Sequence, residues 1–416
     1  MKNPEIKHTV LDRFLRYVKI DTQSDPQSPS CPSTEKQKNL GKILVEELLA
    51  IGISDAAMDE FGYVYATIPA TTSKKVPVIC FCSHIDTSPD CSGKDVKPQI
   101  HKNYQGNDLV LPGDLKQVIR FADHSDLKNQ IGNDIVTTDG TTLLGADNKS
   151  GLAEIMDAAN YLMQHPEIAH GKIRILFTPD EEIGRGVDKA DMKRLAADFG
   201  YTMDGESLGH LENETFSADA ATLIINGVST HPGFAKGKME NALKIAAHIL
   251  DHLPKDKFTP ETTSGKEGFV HPTSMNGTLE QTTIQFILRD FNDAGLRHKE
   301  NLLRETIVEA MKCYPKSTYT LVIKEQYRNM KVILDKHPQV VDYAIEAISR
   351  AGITPHCSSI RGGTDGSRLS FMGLPCPNIF AGEHAFHSKQ EWVSVQDMEK
   401  AVEVIINLVQ VWEEKS

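Results

Sequence analysis

The sequence predicts an α/β fold with a mixed, largely parallel sheet, into which a smaller α+β domain is inserted. Short and almost wholly apolar runs, at residues 76–82 and 173–177, are typical of strands that are buried on both faces. Helical patterns alternate with these runs, and this alternation favours parallel strand pairing. Between about residues 217 and 328 the order becomes strand, helix, strand, strand, helix, strand, which is the order of a ferredoxin-like domain.

The individual elements follow from hydrophobic periodicity and from the turns that flank them. In the first lobe we predict an amphipathic helix near residues 6–18, helices at 35–49, 152–162, 338–351, 365–371 and 395–413, and further strands at 201–203 and 377–380. In the inserted segment we predict strands at 222–228, 271–279, 282–290 and 318–327 and helices at 239–253 and 294–314. The expected domains are therefore residues 1–216 with 329–416, and the inserted residues 217–328.

Composition excludes several functional classes. The chain of 416 residues carries 45 Lys and Arg against 57 Asp and Glu, and the resulting net charge of −12 disfavours nucleic-acid and anionic membrane partners. Its seven cysteines include no Cys-x-x-Cys pair, which argues against a disulfide framework and against a thiolate zinc site. No apolar run approaches the ~18 residues of a membrane span, and no apolar signal core begins the chain. We therefore expect a soluble, cytoplasmic protein.

Polar residues that could carry chemistry follow the predicted strands. His84 and Asp86 come directly after the first strand, and a spacing of two points both side chains the same way on an extended chain. Asp147 lies in a glycine-rich turn before a helix, and His387 lies beyond the strand at 377–380. Each residue alone has a simpler explanation, namely a polar turn, a helix cap or a hydrogen-bonded core histidine.

Acidic residues end two other predicted strands. Asp180, Glu181 and Glu182 follow the strand at 173–177, and Asp204 follows the strand at 201–203. Crowded carboxylates repel one another unless a cation lies nearby, although solvent screening would also tolerate them at an open surface. Adjacent glutamates cannot occupy the same position, so we expect one to be a ligand and the other to be a free base.

Taken together, these residues form a set of nitrogen and oxygen donors at the ends of separate strands: His84, Asp86, Asp147, Glu181, Glu182, Asp204 and His387. A donor set without thiolates suits zinc, manganese or cobalt. Seven groups exceed the needs of one tetrahedral ion, whereas two ions ~3.5–4 Å apart with a shared carboxylate would use most of them. The sequence therefore predicts a site for two divalent cations.

Long blocks of the sequence resemble, in the same order, the peptidase T (tripeptide aminopeptidase) branch of the M20 family of co-catalytic zinc peptidases. They include SHIDTSPDCSG, TTDGTTLLGADNKSG, FTPDEEIGRG, YTMDG and RGGTDGSRLSFMGLPCPNIFAGEHAFHS. The resemblance extends over essentially the whole chain. It implies a zinc-peptidase catalytic lobe with an inserted lid or dimerisation domain, a homodimer, and short peptides, mainly tripeptides with free termini, as substrates.

The resemblance also assigns the metal ligands. His84 and Asp204 would bind one zinc ion, Glu182 and His387 would bind the other, and Asp147 would bridge the two. Co²⁺ or Mn²⁺ could substitute for Zn²⁺.

Two further residues receive catalytic roles from the resemblance. Asp86 would orient His84 through a hydrogen bond. Glu181 would act as general base and then as general acid, while a water that bridges the metals attacks the N-terminal peptide bond.

The resemblance extends to substrate binding, by residues of the inserted domain and by one arginine of the C-terminal part of the first lobe. His231 would contact the oxyanion in a partner subunit's site, and Arg289 and Arg361 would bind the C-terminal carboxylate of a tripeptide. The plainer explanations are a packed loop histidine and structural ion pairs with Asp290 and Asp365.

Four residues depart from the usual pattern of this family: Asn148, His210, Glu383 and Ala385. Asn148 can adopt the same geometry as the usual Asp, so we expect no loss of activity from it. The departures at His210, Glu383 and Ala385 could alter metal affinity or amine recognition, but not the class of reaction. The family pattern also implies a cis peptide bond between Asp147 and Asn148.

Two alternative functions remain open. The same site could serve a dipeptidase, a carboxypeptidase or an N-acyl amino acid deacylase. A metal-loaded binding or scaffold protein without catalysis is the other alternative, and the presence of Glu181 argues against it because a free base has little structural use.

Overall fold

The computed structural model describes residues 5–416, and the chain divides into two compact units. Unit 1 contains the described chain up to Asn213 together with Met330–Ser358 and Thr364–Ser416. Unit 2 contains Glu214–Asn329 and Ser359–Gly363. Within residues 5–416, no helix combines the length and the apolar composition that crossing a membrane requires.

The secondary structure follows the chain in this order. The helices are α1 (Val10–Tyr17), α2 (Gln37–Ala50), α3 (Ala146–Gln164), α4 (Met192–Leu195), α5 (Ala242–His252), α6 (Asp293–Met311), α7 (Lys331–Leu334), α8 (Pro338–Arg350), α9 (Asp365–Phe371) and α10 (Val395–Glu414). The strands are β1 (Ala57–Met58), β2 (Val64–Ile68), β3 (Ile79–His84), β4 (Gln99–His101), β5 (Leu109–Val110), β6 (Val118–Ile119), β7 (Ile135–Thr137), β8 (Ile173–Thr178), β9 (Phe199–Gly205), β10 (His210–Thr215), β11 (Ser217–Asn226), β12 (Phe269–Gly277), β13 (Gln281–Asp290), β14 (Thr318–Tyr327), β15 (His356–Ile360), β16 (Asn378–Phe380), β17 (Glu383–His384) and β18 (Trp392–Ser394).

The main sheet of unit 1 has eight strands in the order β1-β2-β8-β3-β9-β16-β10-β15. Its centre is parallel, because β3 pairs in parallel with β8 and β9, and β9 pairs in parallel with β16. The pairs β1–β2, β2–β8 and β10–β16 are antiparallel. The predicted α/β fold class with a mixed sheet is therefore confirmed.

Strand β3 shows why its sequence is continuously apolar. Ile79 and Phe81 face a core that includes residues of α1, α3, α8 and α10, whereas Cys80 and Cys82 belong to a second cluster on the opposite face. All six residues of β3 are buried. A strand covered on both faces has no polar side, so alternation disappears from its sequence. The strand begins three residues later than predicted, after Pro77, which has no N–H to donate to a ladder.

Unit 2 has the ferredoxin-like arrangement that the sequence predicts. Its sheet has the order β12-β13-β11-β14, and every pair is antiparallel. Ile284, Phe286 and Leu288 of β13 pack with residues of α5 and α6, which produces the alternation visible in that strand. Residues 359–363 also belong to this unit, whereas the domain bounds predicted from the sequence include them in the first domain. The physical reason is local, since Gly362 accepts a hydrogen bond from the N–H of Phe216.

Two small sheets of unit 1 were not predicted. One has the order β17-β18-β7-β4, and the other is the β5–β6 pair. Strands of two or three residues carry no periodic pattern, so the sequence gives no signal for them.

Candidate metal centre

The parallel centre of the main sheet determines where the candidate ligands lie. Strands β8, β3 and β9 are adjacent and parallel, so their carboxyl ends meet at one edge. His84 is the last residue of β3, Asp204 lies near the end of β9, and the turn Glu181–Ile183 follows β8.

The first group of potential ligands consists of His84, Asp147 and Asp204, whose donor atoms all lie within 4.8 Å of one another. The Nε2 atom of His84 is 2.8 Å from Asp147 Oδ1 and 3.4 Å from Asp204 Oδ1. The Nδ1 atom of the same ring lies 3.0 Å from the backbone oxygen of Asp86, which requires the proton on Nδ1 for a hydrogen bond. Nε2 is thus available as a ligand atom.

The second group consists of Asp147, Glu182 and His387. The Nε2 atom of His387 is 2.7 Å from Glu182 Oε2 and 3.1 Å from Asp147 Oδ2. Asp147 therefore presents one carboxylate oxygen to each group. The Glu182 side chain is only 3% exposed, and its Oε1 is buried without a hydrogen-bond partner among the described residues.

The electrostatics of both groups indicate an excess of acidic side chains. Burial by itself would lower the pKa of His84, but the Asp204 and Asp147 carboxylates raise it well above its ordinary value. Burial likewise opposes the charge of His387, yet Asp147 and Glu182 raise its pKa to about 11. Burial, together with the Asp147 carboxylate, raises the pKa of Glu182 to about 8. Cations held between these groups would stabilise the ionised carboxylates and the neutral imidazoles.

The residues present therefore fit two divalent cations. Each group offers one imidazole nitrogen and carboxylate oxygens, and Asp147 belongs to both. Nitrogen and oxygen donors without thiolates suit zinc, cobalt or manganese. The orphaned Oε1 of Glu182 is a further donor that hydrogen bonding within the described chain leaves unused.

Glu181 belongs to neither ligand group. Its backbone N–H donates to Asp86 Oδ1 at 2.9 Å, and the N–H of Glu182 donates to Asp86 Oδ2 at 3.3 Å. Burial raises the pKa of the Glu181 carboxyl well above its ordinary value, and the neighbouring Asp204 and Asp365 carboxylates act in the same direction. A carboxyl group in such surroundings is suited to accepting and returning a proton.

Asp180, the first of the three consecutive acids, has a different role from its neighbours. Its carboxylate accepts hydrogen bonds from the N–H of Ser33 (2.6 Å), the Ser33 hydroxyl (2.5 Å) and Gln37 Nε2 (2.7 Å). Its φ of 60° lies in the left-handed region. Sequence reasoning missed Ser33 and Gln37, because nothing in the sequence relates residues about 145 positions apart.

Two residues that depart from the family pattern, Asn148 and Glu383, form hydrogen bonds with residues of α3. The peptide bond between Asp147 and Asn148 is cis, as the family pattern implies. Asn148 Oδ1 accepts a hydrogen bond from the N–H of Gly151 in the first turn of α3. Glu383 is buried in β17, where its carboxylate accepts a hydrogen bond from the Ser150 hydroxyl, and it belongs to neither ligand group.

His231 belongs to unit 2, where it precedes a short turn at Pro232–Phe234. Its Nδ1 accepts a hydrogen bond from the N–H of Gly233 at 3.1 Å. This contact requires an unprotonated Nδ1, so the neutral ring carries its proton on Nε2. The residue is exposed, which leaves Nε2 free to donate outward.

Arg289 and Arg361 also belong to unit 2, and neither pairs with the aspartate near it in sequence, Asp290 or Asp365. Arg289 Nη1 donates to the backbone oxygens of Asp219 and Leu288, and no acceptor among the described residues bonds its Nε or Nη2. Asp290 pairs instead with Lys299 at 2.6 Å.

The guanidinium of Arg361 is engaged more fully. Its Nη1 donates to the backbone oxygens of Gly265 (2.8 Å) and Glu267 (2.9 Å), and its Nη2 donates to the Thr263 hydroxyl (3.0 Å). The Asp365 carboxylate, its expected alternative partner, accepts a hydrogen bond from the Thr178 hydroxyl at 2.6 Å.

Comparison with known proteins identifies the family of this chain. A family model for the peptidase family M20/M25/M40 matches residues 139–411. The chain belongs to this family. Over 411 residues it is 49% identical to Peptidase T of Geobacillus sp. (strain WCH70), and the alignment covers 99% of this chain and 100% of that protein. The predicted resemblance to the peptidase T branch of the M20 family and the predicted peptidase class are confirmed.

Solved structures of M20 peptidases have the same fold. The aminopeptidase PepT from Bacillus cereus ATCC 10987 superposes with a TM-score of 0.74 at 23% identity, covering 97% of this chain and 98% of that chain. The Bacillus subtilis YXEP protein, a dinuclear metal-binding peptidase of the M20 family, superposes with a TM-score of 0.65 at 15% identity, covering 98% of both chains.

Proposed function

We propose that this M20 peptidase is a dizinc aminopeptidase that hydrolyses the N-terminal peptide bond of tripeptides. The observation that carries the proposal is the position of Asp147, whose two carboxylate oxygens face two separate imidazole–carboxylate groups. The 49% identity to a Peptidase T over the whole chain supports the substrate class. The dinuclear metal binding of the B. subtilis neighbour supports the number of ions.

In this proposal the metal ligands are His84 and Asp204 for one ion, Glu182 and His387 for the other, and Asp147 for both. Bound divalent cations would supply Lewis acidity, which activates water and polarises the scissile carbonyl. The donor set favours Zn²⁺ and would accept Co²⁺ or Mn²⁺.

Glu181 is the residue that moves the proton. Its carboxylate accepts a proton from the attacking water and then delivers that proton to the departing amine nitrogen as the carbon–nitrogen bond breaks. Its raised pKa favours uptake of the proton. Asp86 fixes the backbone of Glu181 and orients the His84 ring through its own backbone oxygen.

The substrate's C-terminal carboxylate is proposed to bind Arg289. Its Nε and Nη2 atoms form the planar fork that matches a carboxylate, and both lack acceptors among the described residues. Arg361 remains a second candidate, although three of its donor protons are already used. His231 is proposed to contact the oxyanion in a partner subunit's site, with unit 2 as the dimerisation domain, because its exposed Nε2 can donate outward.

The proposed substrates are short peptides with free termini, and the proposed location is the cytoplasm. All seven cysteines are free thiols, which suits a reducing compartment.

A substrate panel tests this proposal against the other M20 activities. The purified, zinc-loaded protein would be given an unblocked tripeptide, its N-acetylated form, the corresponding dipeptide and a tetrapeptide. We expect release of the first residue from the unblocked tripeptide and little turnover of the other three. Preferred hydrolysis of the N-acetylated substrate would reject the aminopeptidase and favour the deacylase.

A further inference from the structure

Glu391 is a buried carboxylate to which the proposed reaction gives no role. It lies immediately before β18 and is 1% exposed. Its Oε2 accepts hydrogen bonds from the backbone N–H groups of Leu144 (2.7 Å) and Gly145 (2.8 Å). Its Oε1 accepts a third from the N–H of Asp147 at 3.0 Å. Both oxygens are thus engaged with the turn that carries the central metal ligand.

These N–H groups belong to the turn that enters α3, where Asp147 and Asn148 have non-helical φ and ψ angles, so the regular helix begins only after them. Gly145, the N-cap residue, has no side chain to accept them, and its φ of 82° favours glycine. Glu391 supplies the acceptors from more than 240 residues farther along the chain.

The segment that carries Glu391 also carries His387, between β17 and β18. Strand β18 is held on both sides, since it pairs with β17 and with β7. The Glu391 carboxylate therefore joins the segment that carries His387 to the turn that carries Asp147. His387 and Asp147 are two of the three members of the second ligand group.

We propose that Glu391 is a positioning residue of the metal centre. By holding residues 144–147 it fixes the backbone of Asp147, and this orientation lets one Asp147 oxygen face each ligand group. Glu391 is not itself a ligand, because it belongs to neither group and its oxygens already accept three N–H groups. The inference rests on the proposed dinuclear site.

The substitution that tests it is Glu391→Gln, measured on the full-length, metal-stripped protein. The amide keeps the shape of the side chain but has only one acceptor oxygen, so its NH₂ group would face at least one backbone N–H. Zn²⁺ affinity would be measured by calorimetric titration with ZnCl₂, and we expect it to be about 10–100-fold weaker than in the wild type. The absorption spectrum of the Co²⁺-loaded protein should change, and kcat should fall with little change in KM.

A matched control separates positioning from general stability. Ser394→Ala removes the N-cap of α10, three residues after Glu391, where the Ser394 hydroxyl accepts from the N–H of Asp397. We expect this variant to unfold at a lower temperature and to bind Zn²⁺ as tightly as the wild type. Equal weakening of Zn²⁺ binding in both variants would overturn the proposal, and so would unchanged affinity and an unchanged Co²⁺ spectrum in Glu391→Gln.

If circular dichroism shows that Glu391→Gln does not fold, the Zn²⁺ affinity of Glu391→Asp tests the proposal instead. It keeps the charge but withdraws the oxygens by one methylene, so we expect about 10-fold weaker Zn²⁺ binding. Wild-type affinity in Glu391→Asp would then overturn the proposal. These Zn²⁺ affinities are measured without substrate. A failure to cleave tripeptides would therefore reject the proposed function, while the affinities would still test the positioning role of Glu391.

Discussion

Asp86 and Glu181 are joined by a hydrogen bond in which the Glu181 backbone N–H donates to the Asp86 carboxylate at 2.9 Å. The same carboxylate lies 3.4 Å from the Nδ1 atom of His84, and the Asp86 backbone oxygen accepts from that nitrogen at 3.0 Å. Asp86 therefore contacts both the proposed base and a proposed ligand. The resemblance implies only the contact with His84, and the structure adds the contact with the acidic turn.

Replacing Asp86 by Asn should disturb the contacts of its carboxylate, whereas the hydrogen bond from His84 to the Asp86 backbone oxygen stays in place. The Asp86 carboxylate accepts hydrogen bonds from two backbone N–H groups, and in the Asn variant one of these N–H groups would face an amide NH₂ group. We expect kcat/KM for a tripeptide to fall by about 10–100-fold, with weaker Zn²⁺ binding. Steady-state kinetics and calorimetry measure the two effects. Wild-type values of both would show that the contacts of the Asp86 carboxylate have no functional role.

Replacing Glu181 by Gln should separate metal binding from catalysis. Glu181 belongs to neither ligand group, so two Zn²⁺ ions should still bind. Without a base, hydrolysis should slow by about 10²–10⁴-fold. Metal analysis and a turnover assay measure these outcomes, with Glu60→Gln, an exposed glutamate between β1 and β2, as the control. Near-normal turnover would contradict the assignment of Glu181 as the base.

The two arginines should differ when each is replaced by Ala. Loss of a hydrogen-bonded charge pair costs about 2 kcal/mol, so Arg289→Ala should raise KM for a tripeptide by about 30-fold. Arg361→Ala should chiefly destabilise unit 2, since its guanidinium is bonded to the backbone oxygens of Gly265 and Glu267.

A C-terminally amidated tripeptide provides the control for this comparison. With no carboxylate to bind, the amidated substrate should show the same KM for the wild type and for Arg289→Ala. An equally raised KM for both substrates would argue against a carboxylate-binding role.

The buried pair of Asp290 and Lys299 in unit 2 should be essential for stability. The two side chains are 2.6 Å apart and at most 8% exposed. Lys299→Met leaves a buried carboxylate without its partner, and this change should cost about 3–5 kcal/mol of unfolding free energy. Urea denaturation measures the loss. The double variant with Asp290→Asn should recover much of it, and a similar loss in the double variant would show that packing, and not charge, dominates.

The sequence predicts the fold well where periodicity is strong. The buried strand β3 and the alternating strand β13 both have clear patterns, and the predicted order of elements identifies the ferredoxin-like unit. The short strands β17 and β18 have no such pattern. Their position nevertheless matters, because the segment between them carries His387 and Glu391.

The candidate site shows a similar division. Residues that follow parallel strands, such as His84 and Asp204, can be expected to meet because neighbouring strands end at one edge. Contacts made by side chains from distant loops cannot be anticipated in this way. Ser33 bonds Asp180, and Glu391 bonds the Asp147 turn, through hydrogen bonds that no local pattern indicates. The roles of the proposed ligands and of His231 remain predictions.

The most direct test of the dizinc aminopeptidase is a metal titration with product analysis. Protein stripped with EDTA would receive Zn²⁺ in steps, and hydrolysis of an unblocked tripeptide would be followed at each step by mass spectrometry. We predict no cleavage without metal, and full activity with two Zn²⁺ bound per chain, with the N-terminal residue and a dipeptide as the products. Cleavage that persists in the metal-free protein, or two bound Zn²⁺ without release of an N-terminal residue, would contradict the account.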